Sequence, residues 1–168
     1  LSLCDNIYKE RKMVFLTCTR FNTETFQQNQ RWRQRNEHLG CIYGSPVLMK
    51  GDIFINASVI VLEMENDINK IVGIGLIRNS IEKDKKYHIY DWGNYNRYAY
   101  KGDYRISREE LHEHEEKIMQ ILDMLCFKGS RHLKRGSGIT SLPQWIIKNA
   151  HLDFVKELEK MFKERFNQ

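Results

Sequence analysis

Proline is scarce, with two in 168 residues, and no Pro-rich or Gly/Ser-rich tract marks a linker. A single domain over residues 1–168 is therefore expected, long enough for one core and too short for two. The four cysteines, Cys4, Cys18, Cys41 and Cys126, are widely separated, with no Cys-x-x-Cys pair. That spacing argues against both a zinc knuckle and a disulfide framework and suits a reducing, intracellular compartment, cytoplasm or nucleus. No apolar run reaches the roughly 18 residues that cross a bilayer; the longest candidate, residues 52–64, is broken by Asn56 and Glu63. No membrane partner is expected. The opening residues, with Asp5, Lys9, Glu10 and Arg11, do not resemble a secretory signal.

Catalytic and metal-binding patterns are equally thin. A Walker loop is absent. His112 and His114 would stand about 200° apart on a helix, unable to share an ion, and His112 with Glu116 supplies too few ligands. Cys18 lies inside an apolar strand, which suits buried filler better than a nucleophile. No metal, no cofactor and no catalytic residue is expected.

What the chain does have is charge, in patches. Lys and Arg number 27 against 22 Asp and Glu, for a net charge of +5, a mild excess that favours polyanionic partners. Arg20, Arg31, Arg33 and Arg35 share a segment whose only acid is Glu24, and Lys128, Arg131, Lys134 and Arg135 share another with none. The second cluster sits among Gly129, Gly136 and Gly138, where cations and bare backbone N–H groups suit phosphate oxygens. Arg20, Arg31, Arg35, Lys128, Arg131, Lys134 and Arg135 are the expected phosphate contacts. Between the clusters, residues 86–105 hold Tyr87, Tyr90, Trp92, Tyr95, Tyr98, Tyr100 and Tyr104, interleaved with Arg97, Lys101 and Arg105. Bases stack on such rings and phosphates pair with such cations, although tyrosine is also favoured in strands, and about half of these are expected in the sheet.

Hydrophobic periodicity predicts an α/β (α+β) fold. Residues 13–19 read as a buried strand. Asn22 or Thr23 then caps a helix to about residue 37, with Phe26, Gln30 and Arg33 on one side and Gly40 as its stop. Residues 40–46 and 50–52 read as turns, 53–55 and 59–64 as strand, and 70–77 as a strand apolar on both faces, a hairpin feeding a central sheet. Gly73 and Gly75 share one strand face, which points to a close approach of backbone or ligand, or to a bulge. Residues 88–90 and 97–100 can pair around a turn at Trp92-Gly93-Asn94. Ser107 and Glu110 form a capping-box pattern ahead of a helix over 108–126. A loop follows at 127–138, and residues 141–168 make a C-terminal helical extension carrying Trp145, Ile146 and the apolar stripe Leu152, Val155, Leu158, Met161 and Phe162.

The motif Gly40-x-x-x-Gly44-Ser45-Pro46-x-x-x-Lys50-Gly51-Asp52, followed by Lys70-Ile71-x-Gly73-Ile74-Gly75, resembles the PUA-like superfamily, especially its EVE, ASCH and YTH branches. The resemblance covers residues 13–77 and continues beyond them only in element order. It implies a mixed, strongly curved sheet or barrel with flanking helices and a pocket for a flipped or modified base. Tyr43 and Ser45 in the turn, with Trp92 and Asn94 beyond the central strand, would be the base-binding residues. Tyr43 stands where the family usually has tryptophan, a departure that bears on the aromatic cage and on any preference for a methylated base. The expectation is a nucleic-acid reader, with RNA or DNA as partner. The rivals are a nuclease-like enzyme, with His132 and Asp91 as its acid–base pair, and a protein-interaction module with a protein partner. The Asn-, Lys- and Ile-rich style suits an AT-rich genome such as that of a large DNA virus.

Overall fold

β-Branched and apolar residues make β1 (Val14–Phe21) the strand on which the rest is organised. The computed structural model describes residues 13–166, so Cys4 and the charged residues 5–12 lie outside it. After β1 the chain forms α1 (Thr23–Arg35), β2 (Cys41–Ser45), β3 (Ser58–Glu65), β4 (Lys70–Arg78), β5 (Tyr98–Gly102), β6 (Tyr104–Ser107), α2 (Glu113–Phe127), β7 (Thr140–Ser141), α3 (Gln144–Ile147) and α4 (Phe154–Phe166). Five strands form one mixed sheet in the order β6-β4-β3-β1-β7, and β2 pairs with β5 in a second. β1 and β3 run parallel, with Val14 opposite Ser58 and Phe21 opposite Glu65.

The fold is thus mixed α/β, and among the described residues neither sheet closes into a barrel. The hydrogen-bonded order is linear, because β5 pairs with β2 while the next strand, β6, pairs with β4. The chain changes sheets at Gly102, whose Cα lies so close to the Leu76 carbonyl that a Cβ there would collide with it.

The two faces of the large sheet bury different layers. Along β3, Ile60, Leu62 and Met64 point toward α2 and α4, meeting Leu122, Phe154, Leu158 and Phe162, so the C-terminal helices share this core. Val59 and Val61 point the other way, toward Trp32 of α1 and Ile42, Tyr43 and Tyr100 of the small sheet. This alternation is what a strand covered on both faces requires.

Several local expectations shift. Residues 41–45 form β2 rather than a turn, and 53–55 form turns rather than strand. Residues 88–90 do not pair as a strand. A 3₁₀ turn at Gly93–Asn96 follows them instead, and the strand after it, β5, pairs with β2. Asn22 does cap α1 in a reciprocal box with Thr25, but the helix buries Gln28, Asn29 and Trp32 and ends at Arg35. The Ser107–Glu110 box caps only a short 3₁₀ turn; α2 begins afresh at Glu113 with His112 as its cap. His112 therefore lies outside the helix, and its ring stacks on that of His114 at 6.1 Å. No helix among the described residues is long and apolar enough to cross a membrane.

Candidate nucleic-acid interface

Parallel strands end together, and the space beyond their carboxyl ends is where an α/β sheet leaves a crevice. Here Thr19, Arg20 and Phe21 end β1, Asn66 follows β3, and Asn22 and Thr25 open α1, all around a cavity of about 230 Å³. Gly44 and Pro46 from the β2 end, Tyr90 and Tyr95, and Lys134, Gly136, Ser137 and Gly138 of the basic loop complete the wall. Drug-sized ligands occupy clefts of about 300–1,000 Å³, so this one suits a single ring system.

Each wall is held by the local sequence. Asn96 pins the aromatic segment: its Oδ1 accepts from the N–H groups of Ile89 (2.9 Å) and Tyr90 (2.8 Å), and its Nδ2 donates to the Tyr90 carbonyl (2.6 Å). Gln28 of α1 clasps Asp91 from both ends, accepting from its N–H and donating to its carboxylate. Tyr90 is buried, its hydroxyl accepts from Asn29 Nδ2 at 3.0 Å, and burial raises its pKa. Tyr95 packs edge-on against Tyr90 and against Trp92, the latter at 4.5 Å between centroids. Gly44 admits this arrangement, since a Cβ there would strike the Tyr95 carbonyl and the Tyr90 ring.

The basic loop is tied down despite its glycines. Leu133 N–H donates to the Cys126 carbonyl at 2.7 Å, Asn66 Nδ2 donates to the Lys134 carbonyl at 2.9 Å, and Arg20 Nε donates to the Leu133 carbonyl at 2.6 Å. Gly138 sits at φ 75°, and a Cβ there would come within 2.5 Å of Ser45 Oγ. Glycine is needed on both counts.

The expected base-binding residues fall into two groups. Tyr43 and Ser45 are both buried. Tyr43 donates its hydroxyl to Glu63 at 2.9 Å, while Ser45 donates to the Val47 carbonyl at 2.5 Å beneath the basic loop. Trp92 and Asn94 are exposed beside the cavity but do not line it. Trp92 instead supports Tyr95.

Among the expected phosphate contacts, Arg20 and Lys134 line the cavity, and Arg135 is exposed next to it. Arg131 lies over the Trp145 ring at 5.5 Å, and Lys128 caps the end of α2, exposed. Arg31 and Arg35 are exposed on α1, about 14 and 20 Å along the helix axis from its cap at 1.5 Å per residue. The structure therefore does not gather all the cations at one mouth.

Three groups escaped the sequence reading. Phe21, Asn22, Thr25 and Asn66 belong to the cavity only because β1 and β3 end in register. Tyr90 and Tyr95 had no signal separating them from the other tyrosines. A buried network also lies under β2: Arg105 forms a two-pronged ion pair with Glu63, Nη2 to Oε1 at 2.7 Å and Nε to Oε2 at 2.8 Å, and Glu63 also accepts from Tyr43. Burial opposes the Arg105 charge, but Glu63 outweighs it and raises the pKa. Gly73 and Gly75 make room for this network, since a Cβ at Gly73 would meet Arg105 Nη2 at 2.5 Å and one at Gly75 would strike the Tyr43 hydroxyl. The paired glycines thus answer to a close approach from within the protein, beside a bulge at Glu63/Met64.

The residues of the rival acid–base pair each have a partner. His132 Nδ1 accepts from the Lys134 N–H while Asp91 is engaged by Gln28, so each is held by a separate partner. Cys18 is fully buried, and burial raises its pKa; Cys41 is pushed up to about 12 by burial and then by Glu63. Burial thus holds both thiols toward the protonated form. Among the described residues, no three His, Cys, Asp or Glu side chains come together to hold a metal ion. Comparison with protein-family models, curated proteins and solved structures finds no match, so the functional reading rests on this geometry.

Proposed function

We propose that this chain is a nucleic-acid-binding domain of PUA-like type that holds one base, flipped out or single-stranded, in the cavity at the ends of β1 and β3. The observation that carries the reading is the joint presence of Tyr90, Tyr95 and Phe21 with Arg20 and Lys134 around a space of about 230 Å³. A flat heteroaromatic ring needs a ring-lined slot and polar groups at its edge, and the adjoining phosphates need cations.

The base-contacting set differs from the one expected. Tyr95 and Tyr90 take the place of Tyr43, Gly44 gives close backbone approach, and Trp92 and Asn94 frame the rim. Lys134 and Arg135 are the nearest phosphate contacts, with Lys128 and Arg131 extending the same loop. The N-terminus of α1 is poorly suited to a phosphate. The Thr23 N–H already donates to Asp67 Oδ2 at 2.9 Å, and Thr25 N–H to Asn22 Oδ1 at 2.8 Å. The phosphate track therefore runs along the basic loop.

The test is fluorescence anisotropy with single- and double-stranded RNA and DNA oligonucleotides, with and without methylated bases, across a salt series. Micromolar or tighter binding that weakens with salt supports the reading. No binding at low salt refutes it.

A further inference from the structure

The cavity has an electrostatic asymmetry that bears on which base it takes. Among the described residues its lining includes two cations, Arg20 and Lys134, and no carboxylate. The carboxylates nearby serve other partners: Asp67 accepts from Thr23 N–H, Glu65 Oε1 accepts from Asp67 N–H at 2.8 Å, and Glu63 is paired with Arg105.

Arg20 is also fixed. Its Nε donates to the Leu133 carbonyl and its Nη1 to Thr140 Oγ1 at 2.9 Å, while Gly136 packs over the guanidinium, where a Cβ would lie 3.2 Å from Cζ. Among the described residues no protein acceptor meets Nη2. The wall thus holds a planar cationic donor in a set orientation. Beside it, Asn66, whose N–H donates to the Phe21 carbonyl at 2.8 Å, spends its Nδ2 on the Lys134 carbonyl, and among the described residues its buried Oδ1 meets no hydrogen-bond donor. Arg20 thus offers a charged donor and Asn66 a neutral acceptor.

From this we infer that Arg20 and Asn66 select a base with a lactam edge, a ring carbonyl beside a ring N–H, as in guanine, hypoxanthine and uracil. The inference rests on the base-binding reading of the cavity. A ring carbonyl offers two lone pairs to the guanidinium, and arginine to guanine O6 and N7 is the commonest specific contact to a base. Asn66 Oδ1, closed to solvent in the free protein, takes the neighbouring ring N–H as its donor by turning toward the base as it enters. Adenine and cytosine present an amino group and an unprotonated ring nitrogen along the same edge, which sets a donor against the cation. A built hydrogen-bonding site discriminates because the mismatched partner leaves its polar groups unpaired.

The experiment uses the full chain and oligonucleotides with a single test base on an abasic background: guanine, hypoxanthine, uracil, adenine or cytosine. Wild-type protein is expected to bind the first three about tenfold or more tighter than the last two. Ranking of guanine against uracil then distinguishes the purine from the pyrimidine source of the same edge. Arg20→Gln should bring all five within about twofold of one another. Arg20 and Asn66 both also brace the loop, so Asn66→Leu is tested beside Arg20→Gln with the urea unfolding midpoint of each; loss of preference is expected in both, and preference kept in either folded variant overturns the inference. Wild-type preference for adenine or cytosine overturns the inference, as does equal binding of all five with displacement by inorganic phosphate, which would make the cavity a phosphate site. Absence of binding to every oligonucleotide overturns the base-binding reading itself.

Discussion

On the face of the large sheet that meets α2 and α4, Leu16, Ile60, Leu62 and Ile74 pack against Leu122, Phe154 and Phe162. On the opposite face, Glu63 meets Arg105 and Tyr43 beneath β2, and Arg33 of α1 donates to Asn29 while its buried Nη2 has no partner among the described residues. Burial and the neighbouring Arg105 charge lower the Arg33 pKa. The first face is non-directional and tolerates volume-conserving change. The second is directional, and it fixes where β2 sits over β4, which in turn places Gly44 in the cavity wall. Both layers bury apolar side chains, and the second adds the charged network that sets the geometry of the site.

The largest effect is expected on the polar face. Arg105→Met leaves Glu63 buried and unpaired, at a cost of about 3–5 kcal/mol. Combining it with Glu63→Met and Tyr43→Phe should recover most of that in urea unfolding. Failure to recover would mean that the network does more than satisfy itself. On the apolar face, Leu122→Ala opens a cavity at a fully buried position and should cost about 2–5 kcal/mol. Oligonucleotide affinity of its folded fraction should be unchanged, and a change in base preference would break the division of labour between the faces.

Smaller effects belong to the rim. Tyr95→Ala should remove about 1–3 kcal/mol of binding by loss of stacking, with little change in unfolding midpoint. Lys134→Ala with Arg135→Ala should weaken binding to all sequences alike and lower the salt slope by about 1–2, read from affinity against log salt. The smallest concerns acid. The Arg108 guanidinium, hydrogen-bonded to Glu116 at 2.7 Å, holds that carboxyl below its ordinary value of 4.5. A lowered folded-state pKa stabilises above the unfolded value and is lost as pH falls through the folded one. Stability should therefore fall below about pH 4.5, and Glu116→Gln should flatten that part of a midpoint-against-pH curve.

Residue pattern reports what is local, and that explains which parts of this molecule could be foreseen. The hairpin of β3 and β4, the cap at Asn22 and the stripe of α4 follow from propensity and period. The pairing of β1 with β3 in parallel, and of β2 with β5 across more than fifty residues of chain, leaves no such trace. The cavity depends on both. Tyr43 shows the same limit: an aromatic beside glycines suits a stacking surface, while its hydroxyl meets Glu63, a partner twenty positions away in sequence. Gly73 and Gly75 did announce a close approach, but not that Arg105 and Tyr43 would fill it. The basic loop was legible as a unit; which of its cations reach the cavity was decided by Arg20 and Asn66 holding the loop carbonyls.

The central claim, that one base enters the crevice at the ends of β1 and β3, is tested most directly by amide chemical-shift mapping during titration with a short oligonucleotide. Saturable shifts are expected at residues 19–25, 44, 66, 90–96 and 134–138, with α2 and α4 unmoved. Shifts centred on α2 and α4, or spread over the exposed cations of α1 with residues 90–96 silent, would contradict it.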